Sequence, residues 1–197
     1  MPLVVDRKSL DALLTKPRNH NAWDTRPVPD ALLYELYEIA KMGPTSSNCQ
    51  PMRVVFVRTP EGKKRLEPAL SSTNRAKTMA APVTAIVAYS LDFAPDLDRF
   101  YHVPGARHWY TGTPQLIEET ALRNSSLQGA YFIVAARAVG LDVGAMSGFS
   151  NAKVDAAFFP DGRTRSNFLV NLGFGGDATA LHPDLGRRTF EETCSFA

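Results

Sequence analysis

The sequence is poor in cysteine: Cys49 and Cys194 are the two it has in 197 residues. Two thiols build no disulfide framework and fall short of a four-cysteine zinc site. It lacks an excess of either charge, with 22 basic residues against 20 acidic ones and a formal net charge of +2. Proteins that grip a phosphate backbone usually carry a basic face, so nucleic acid is not expected as the main partner, although a local basic cluster could take one small anion. Long apolar runs are missing too. The most apolar stretch, around Tyr131–Ala138, is far too short to cross a bilayer, so no membrane association is expected. The opening Met1-Pro2-Leu3-Val4-Val5-Asp6-Arg7-Lys8 has no basic segment followed by an apolar one, so no secretory signal is expected and a cytoplasmic protein is the simplest reading.

Several catalytic signatures are also absent. No Gly-x-Ser-x-Gly occurs, and Ser147-Gly148-Phe149-Ser150, the nearest approach, lacks the leading glycine. The four histidines (His20, His102, His108, His182) include no pair three or four residues apart, so no helical metal face forms and no metal is expected. No Walker A loop is present. Gly173-Phe174-Gly175-Gly176 follows a strand but runs into Asp177 and a non-helical stretch, which argues against a bound dinucleotide of the Rossmann kind. A phosphorylated cofactor would have to be held by arginines.

What is there reads as one globular domain over 1–197, with 44% hydrophobic and 21% charged residues. Helices are predicted over Asp6–Lys16, with Leu10, Leu13 and Leu14 on one face, and over Pro29–Met42, stopped by Gly43. A third starts at Thr59-Pro60 and runs to about Leu70, and the longest runs from Thr113-Pro114 to about Val139. The second half of that longest helix is apolar nearly all round, which suits a core centre or an oligomer interface. Asn151–Phe159 is a shorter helix. Strands are predicted over Arg53–Arg58, Val83–Tyr89, Leu141–Ala145 and Arg165–Phe174. Asp92–Gly112 is irregular and aromatic-rich. Unequal helices mixed with strands point to an α+β fold.

Four separated segments carry polar or basic residues beyond what a core or turn requires. They are Arg18-Asn19-His20-Asn21, the loop Pro44–Pro51, the helical turn Asn74-Arg75-Ala76-Lys77 and the tail pair Arg187-Arg188. Taken singly, each has a plain explanation as a solvated loop, turn, helix face or tail. Asn74 and Lys77 share a helix face and could reach one ligand.

Taken in order, the four segments resemble the nitroreductase family. The resemblance runs from about Arg18 to Arg187 and is strongest in Gly43-Pro-Thr-Ser-Ser-Asn-Cys-Gln-Pro51 and in Gly140-Leu-Asp142 followed by Met146-Ser-Gly-Phe149. It implies a mixed, mostly antiparallel sheet flanked by helices, in an intertwined homodimer whose C-terminal tail reaches the partner. It also implies FMN as cofactor, with NADH or NADPH as co-substrate. By the same resemblance, Arg18 and Arg187 would hold the phosphate, with Asn19 in the same segment. Asn21, Asn74 and Lys77 would face the ribityl chain and ring, and Pro44, Thr45, Ser46 and Asn48 would come from the partner subunit. Ser147 and Gly148 would lie at the hydride-carrying edge, Ser147 being a candidate proton donor, and Asn124 would approach the ring. The family usually has a basic residue where this chain has Asn21, and a Glu where it has Ser147. Cys49 reads as a small packing residue rather than a nucleophile.

Within the family, Arg18-x-His20-Asn21-x-Trp23, Glu118-Glu119-Thr-Ala-x-Arg-Asn-Ser-Ser126 and Met146-Ser-Gly-Phe149 resemble the malonic semialdehyde reductases of uracil degradation. That likeness implies reduction of 3-oxopropanoate to 3-hydroxypropanoate, with Arg107 or Arg123 as partner of the substrate carboxylate. A general nitro- or quinone reductase, and a flavin-binding or storage module without turnover, stand beside it as alternatives.

Overall fold

The computed structural model describes residues 4–197, so the first three residues of the segment read for a secretory signal lie outside it. Four strands form one sheet: β1 (Met52–Val57), β2 (Val83–Ser90), β3 (Asp142–Met146) and β4 (Thr164–Gly173). Their order is β1-β2-β4-β3, and each neighbouring pair is antiparallel. A single parallel bridge, Asn19 to Val143, lays the segment before Trp23 along the β3 edge. The expected α+β architecture, with its mostly antiparallel sheet and flanking helices, is the one observed.

Helices α1 (Arg7–Leu10), α2 (Asp30–Ala40), α3 (Pro60–Leu66), α4 (Ser72–Ala80), α5 (Leu97–Phe100), α6 (Pro114–Ala138), α7 (Asn151–Phe158) and α8 (Phe190–Thr193) complete the described chain. On one face of the sheet, α2 and α6 close a core around Leu36, Phe132, Val87 and Leu172. On the other, Leu66, Ile86, Val154 and Leu169 pack together beneath α3 and α7. Both faces of β2 are therefore covered, and all eight of its residues are buried. This explains why Val83–Tyr89 reads as a continuous apolar run rather than an alternating one.

The first helix departs from expectation. After α1 the chain widens into a π turn over Asp11–Thr15, closed by the Lys16 amide donating to the Asp11 carbonyl at 3.1 Å. The wider turn swings Leu14 out of the stripe, so it is exposed while Leu10 and Leu13 are half-buried. Arg137 of α6 donates to the Leu13 carbonyl at 3.0 Å and holds this turn in place. The aromatic Asp92–Gly112 region contains α5 and two short 3₁₀ segments around a small cluster of Phe93, Leu97 and Tyr110.

The longest helix is not buried all round. Leu116, Leu122, Leu127 and Tyr131 of α6 are exposed, and so are Tyr34, Tyr37 and Ile39 of α2 and Met42 just beyond it. The two helices pack on each other, so a monomer presents an apolar surface there. No helix among the described residues is long and apolar enough to cross a membrane.

Candidate active site

The Arg18–Asp24 segment is laced onto the sheet through its backbone. The His20 amide donates to the Val143 carbonyl at 2.8 Å, Asp24 donates to Phe174 at 2.8 Å, and Gly176 donates to Ala22 at 3.1 Å. Side chains of an extended segment alternate, so odd and even positions part company here. Arg18 and His20 turn to one side, where they line a 740 Å³ cavity with Arg7, Lys16, Arg137 and Asp142. Arg18 donates to the His182 carbonyl, and His20 meets Asp142 at 3.3 Å. Asn19 and Asn21 turn to the other side.

There a polar cluster forms. Lys77 Nζ donates to Asn21 Oδ1 at 3.0 Å, and Asn21 Nδ2 donates onward to the Ala180 carbonyl at 3.2 Å. Asn74 Nδ2 donates to the Gly148 carbonyl at 3.0 Å, which also accepts from the Ser71 amide at 3.1 Å. A side chain on Gly148 would push Asn74 aside, since a Cβ there would lie 2.5 Å from Asn74 Nδ2 and 3.0 Å from Ser71 Oγ. Ser147 and Gly148 border an adjoining 470 Å³ cavity with Ser71, Phe149 and Lys153. Partial burial holds the Lys77 ammonium below the ordinary lysine range.

Asn21, Asn74, Lys77, Ser147 and Gly148 are thus brought together. Asn19 stands beside them, but both ends of its amide are spent on Ala145: Oδ1 accepts from the Ala145 amide at 2.6 Å, and Nδ2 donates to its carbonyl at 3.1 Å. Arg187 is not gathered in. Its side chain is 90% exposed and donates to the adjacent Gly186 carbonyl.

Pro44, Thr45, Ser46 and Asn48 lie at the opposite edge of the sheet, in the loop that feeds β1. The cluster above stands at the β3 edge, three strand spacings away, or about 14 Å. The loop is strained, since Ser47, Asn48 and Gln50 all take left-handed conformations, with φ of 50°, 51° and 41°. Such backbone persists where its surroundings over-determine it. Asn124 is one determinant: Oδ1 accepts from the Ser46 amide at 2.8 Å, while Nδ2 donates to the Thr120 carbonyl at 2.8 Å. Gln128 is another, accepting from the Met52 amide at 3.0 Å. Asn48 donates to the Phe100 carbonyl at 3.1 Å. Asn124 therefore builds the loop from beneath.

Cys49 lies in the same loop, buried, and burial pushes its thiol up to about 11. At pH 8 the thiolate fraction is then on the order of 0.1%. Alkylation of the native protein at pH 8 should label the exposed Cys194 and spare Cys49, as read by peptide mass spectrometry. Rapid labelling of Cys49 would mean a loop that opens.

Sequence reasoning overlooked Ser71, Gln128 and the bond made by the Trp23 indole. The Trp23 indole donates to the Lys77 carbonyl at 3.0 Å and joins the Arg18–Trp23 segment to α4. Asn74-x-x-Lys77 was the local signal for that helix, but nothing local points to the tryptophan 54 residues upstream. Among the described residues, no group of His, Cys, Asp and Glu could hold a metal ion.

Comparison with known proteins agrees with this fold. A family model described as the nitroreductase family matches residues 18–174. A Burkholderia lata protein with the provisional name NADH dehydrogenase/NAD(P)H nitroreductase is 56% identical over 184 residues, 93% of this chain and 94% of its own. A Bacillus subtilis nitroreductase-like structure superposes with a TM-score of 0.87 at 18% identity, covering 98% of this chain and all of its own. One from Exiguobacterium sibiricum, solved in complex with FMN, gives 0.86 at 19% identity, covering 100% of this chain and 99% of its own. With most of its length matched by that model and a relative this similar, the chain belongs to the nitroreductase family.

Proposed function

We propose that this protein is an FMN-dependent NAD(P)H oxidoreductase that reduces malonic semialdehyde to 3-hydroxypropanoate. The observation that carries the flavin assignment is the donor set at the β3 edge. Asn21, Asn74, Ser71 and Ser147 supply neutral polar groups, Lys77 supplies one partly desolvated cation, and the Gly148 backbone lies bare beside them. A polar heteroaromatic ring that gathers negative charge on reduction fits such a set. When bound, FMN supplies a two-electron relay between NAD(P)H and a second substrate.

The chain's own residues do the rest. Lys77 stabilises negative charge, and Asn21 fixes its Nζ by accepting from it. Asn74 locks the Gly148 segment. Ser147, exposed beside the cavity, is the candidate proton donor to the product alkoxide. Arg187 is assigned to the phosphate, which suits a guanidinium fork. Arg18 is assigned to the same phosphate, and Arg18 and Asn21 also tether residues 180–182 just ahead of Arg187.

Pro44, Thr45, Ser46 and Asn48 are assigned to the site of a second copy, because one chain holds them at the wrong edge of its sheet. The exposed apolar face of α2 and α6 supports a homodimer. The loop is continuous with that face, since Gly43 lies against Tyr131 so closely that a Cβ would sit 2.6 Å from its ring. If the site is shared, dilution to monomer releases FMN; a stable monomer that retained it would refute the arrangement.

The substrate assignment rests on the motif likeness to malonic semialdehyde reductases. Arg107 is paired with Asp98 at 3.0 Å, which makes Arg123, exposed on α6, the favoured partner for the substrate carboxylate. A general nitro- or quinone reductase is the second reading, favoured by the name of the 56% identical relative. Comparing kcat/KM for malonic semialdehyde, a quinone and a nitroarene, each with NADH and NADPH, decides between them. Preference for the semialdehyde by a factor of ten or more is expected, and the reverse order overturns the substrate assignment.

A further inference from the structure

We propose that Lys63, a residue of α3, is a positioning residue for the flavin site: it clamps the C-terminal turn of α4 and so fixes where Asn74 and Lys77 stand. The inference rests on the flavin reading of that site.

A helix leaves its last four carbonyls without partners of its own. Usually the following backbone folds back to supply amides. Here it cannot, because α4 ends at Ala80, Ala81 leaves in an extended conformation (φ −65°, ψ 136°), and Pro82 has no N–H. Side chains from three other parts of the fold take over. Trp23 Nε1 reaches the Lys77 carbonyl at 3.0 Å, Asn171 Nδ2 reaches it at 3.5 Å, and Lys63 Nζ reaches the Thr78 carbonyl at 2.7 Å.

Lys63 is the unusual member, since it is 6% exposed. Its ammonium also donates to Thr84 Oγ1 at 2.7 Å, Thr84 donates to Asn171 Oδ1 at 2.8 Å, and Asn171 Nδ2 donates to Thr78 Oγ1 at 3.3 Å. Thr78 in turn donates to Met146 Sδ at 3.3 Å. The circuit thus joins α3, β2, β4 and α4, with β3 at its end. Its place at a helix C-terminus suits a cation. Burial nonetheless pulls the ammonium down to about 8, so the fold carries a desolvation cost there. An apolar side chain such as neighbouring Leu66 would pack without that cost, but it could not hold a carbonyl.

The consequence reaches the site through geometry. Thr78 follows Lys77 directly, and Lys77 and Asn74 are one turn apart on one face. A small roll of α4 would draw Lys77 Nζ away from Asn21 and Asn74 away from Gly148 together. Among the described residues the Lys63 ammonium bonds to Thr78 and Thr84 and to neither Lys77 nor Asn74, so it acts through the helix.

The test is a double-mutant cycle read by FMN titration of deflavinated protein. Lys63→Met should raise the FMN Kd at least tenfold while the thermal transition stays cooperative. In a Lys77→Ala background the same substitution should raise it threefold or less, because the main group being positioned is gone. Equal factors in both backgrounds would show a general structural effect and overturn the proposal, as would an unchanged Kd. Should Lys63→Met fail to fold, Thr84→Val removes one acceptor at nearly constant volume. It should raise Kd threefold or more, again suppressed in Lys77→Ala, and no change overturns the clamp. Wild-type protein that binds no FMN defeats the flavin reading itself, whereas wild-type binding with an unaffected Lys63→Met defeats the clamp alone.

Discussion

Gly144→Ala is expected to lower stability by about 2–3 kcal/mol and to strip the protein of most of its FMN. The added Cβ would lie 2.6 Å from the His20 carbonyl oxygen and 3.1 Å from Trp23 Cζ2. A side-chain tip could swing aside, but a backbone carbonyl cannot move alone. The His20 amide is bonded to Val143, and both ends of the Asn19 side chain are bonded to Ala145, so the whole segment must lift from the β3 edge. Overpacking of this kind costs about 1–3 kcal/mol, and lost hydrogen bonds place this case at the upper end. In a chain of this size that is a fall in Tm of roughly 4–12 °C. The lifted segment carries Asn21 and Trp23, which hold Lys77 by its ammonium and its carbonyl. Thermal melts and released flavin per chain check both effects. A Tm within a degree of wild type, with full flavin content, would show that the edge yields freely.

Lys77→Met carries the second large effect, and it is chemical rather than structural. Methionine keeps most of the stem and loses the charge. A charge-assisted hydrogen bond in a partly desolvated site is worth about 2 kcal/mol, so the FMN Kd should rise roughly 30-fold. If the ammonium favours the two-electron reduced cofactor by a similar amount, its midpoint potential falls by about 40 mV. Spectroelectrochemical titration at saturating FMN separates potential from occupancy. A potential unchanged from wild type would remove Lys77 from the ring's surroundings, whatever happened to affinity. Asn21→Ala should lower the potential less, since the ammonium remains and loses one acceptor.

The elements of this fold were legible because their signals are local. Pro60 and Pro114 start α3 and α6, and Gly43 follows α2. The β-branched runs at 53–58 and 83–89 lie within a residue or two of β1 and β2. The Pro44–Pro51 loop stood out by composition, and its three left-handed residues show what that composition permits. Asn74 and Lys77 were legible as a pair because helical spacing puts them on one face.

Long-range placement was not legible. In an extended segment a single residue's shift exchanges sides, and so Arg18 points toward His182 while its neighbours Asn19 and Asn21 face β3 and Lys77. No local pattern showed that the Asn124 amide lies under the Ser46 loop, a partner 78 residues away. Lys63 sits in the run Gly62-Lys-Lys-Arg65, which looks solvated, and the register of α3 against β2 and α4 is what buries it.

The shortage of thiols, of one-signed charge and of phosphate loops was settled by the sequence alone, because composition and short motifs are properties of the chain. Which edge of the sheet each polar group occupies was settled by tertiary structure. Strand order and side-chain alternation are fixed by contacts between residues far apart in sequence, and no local pattern encodes them.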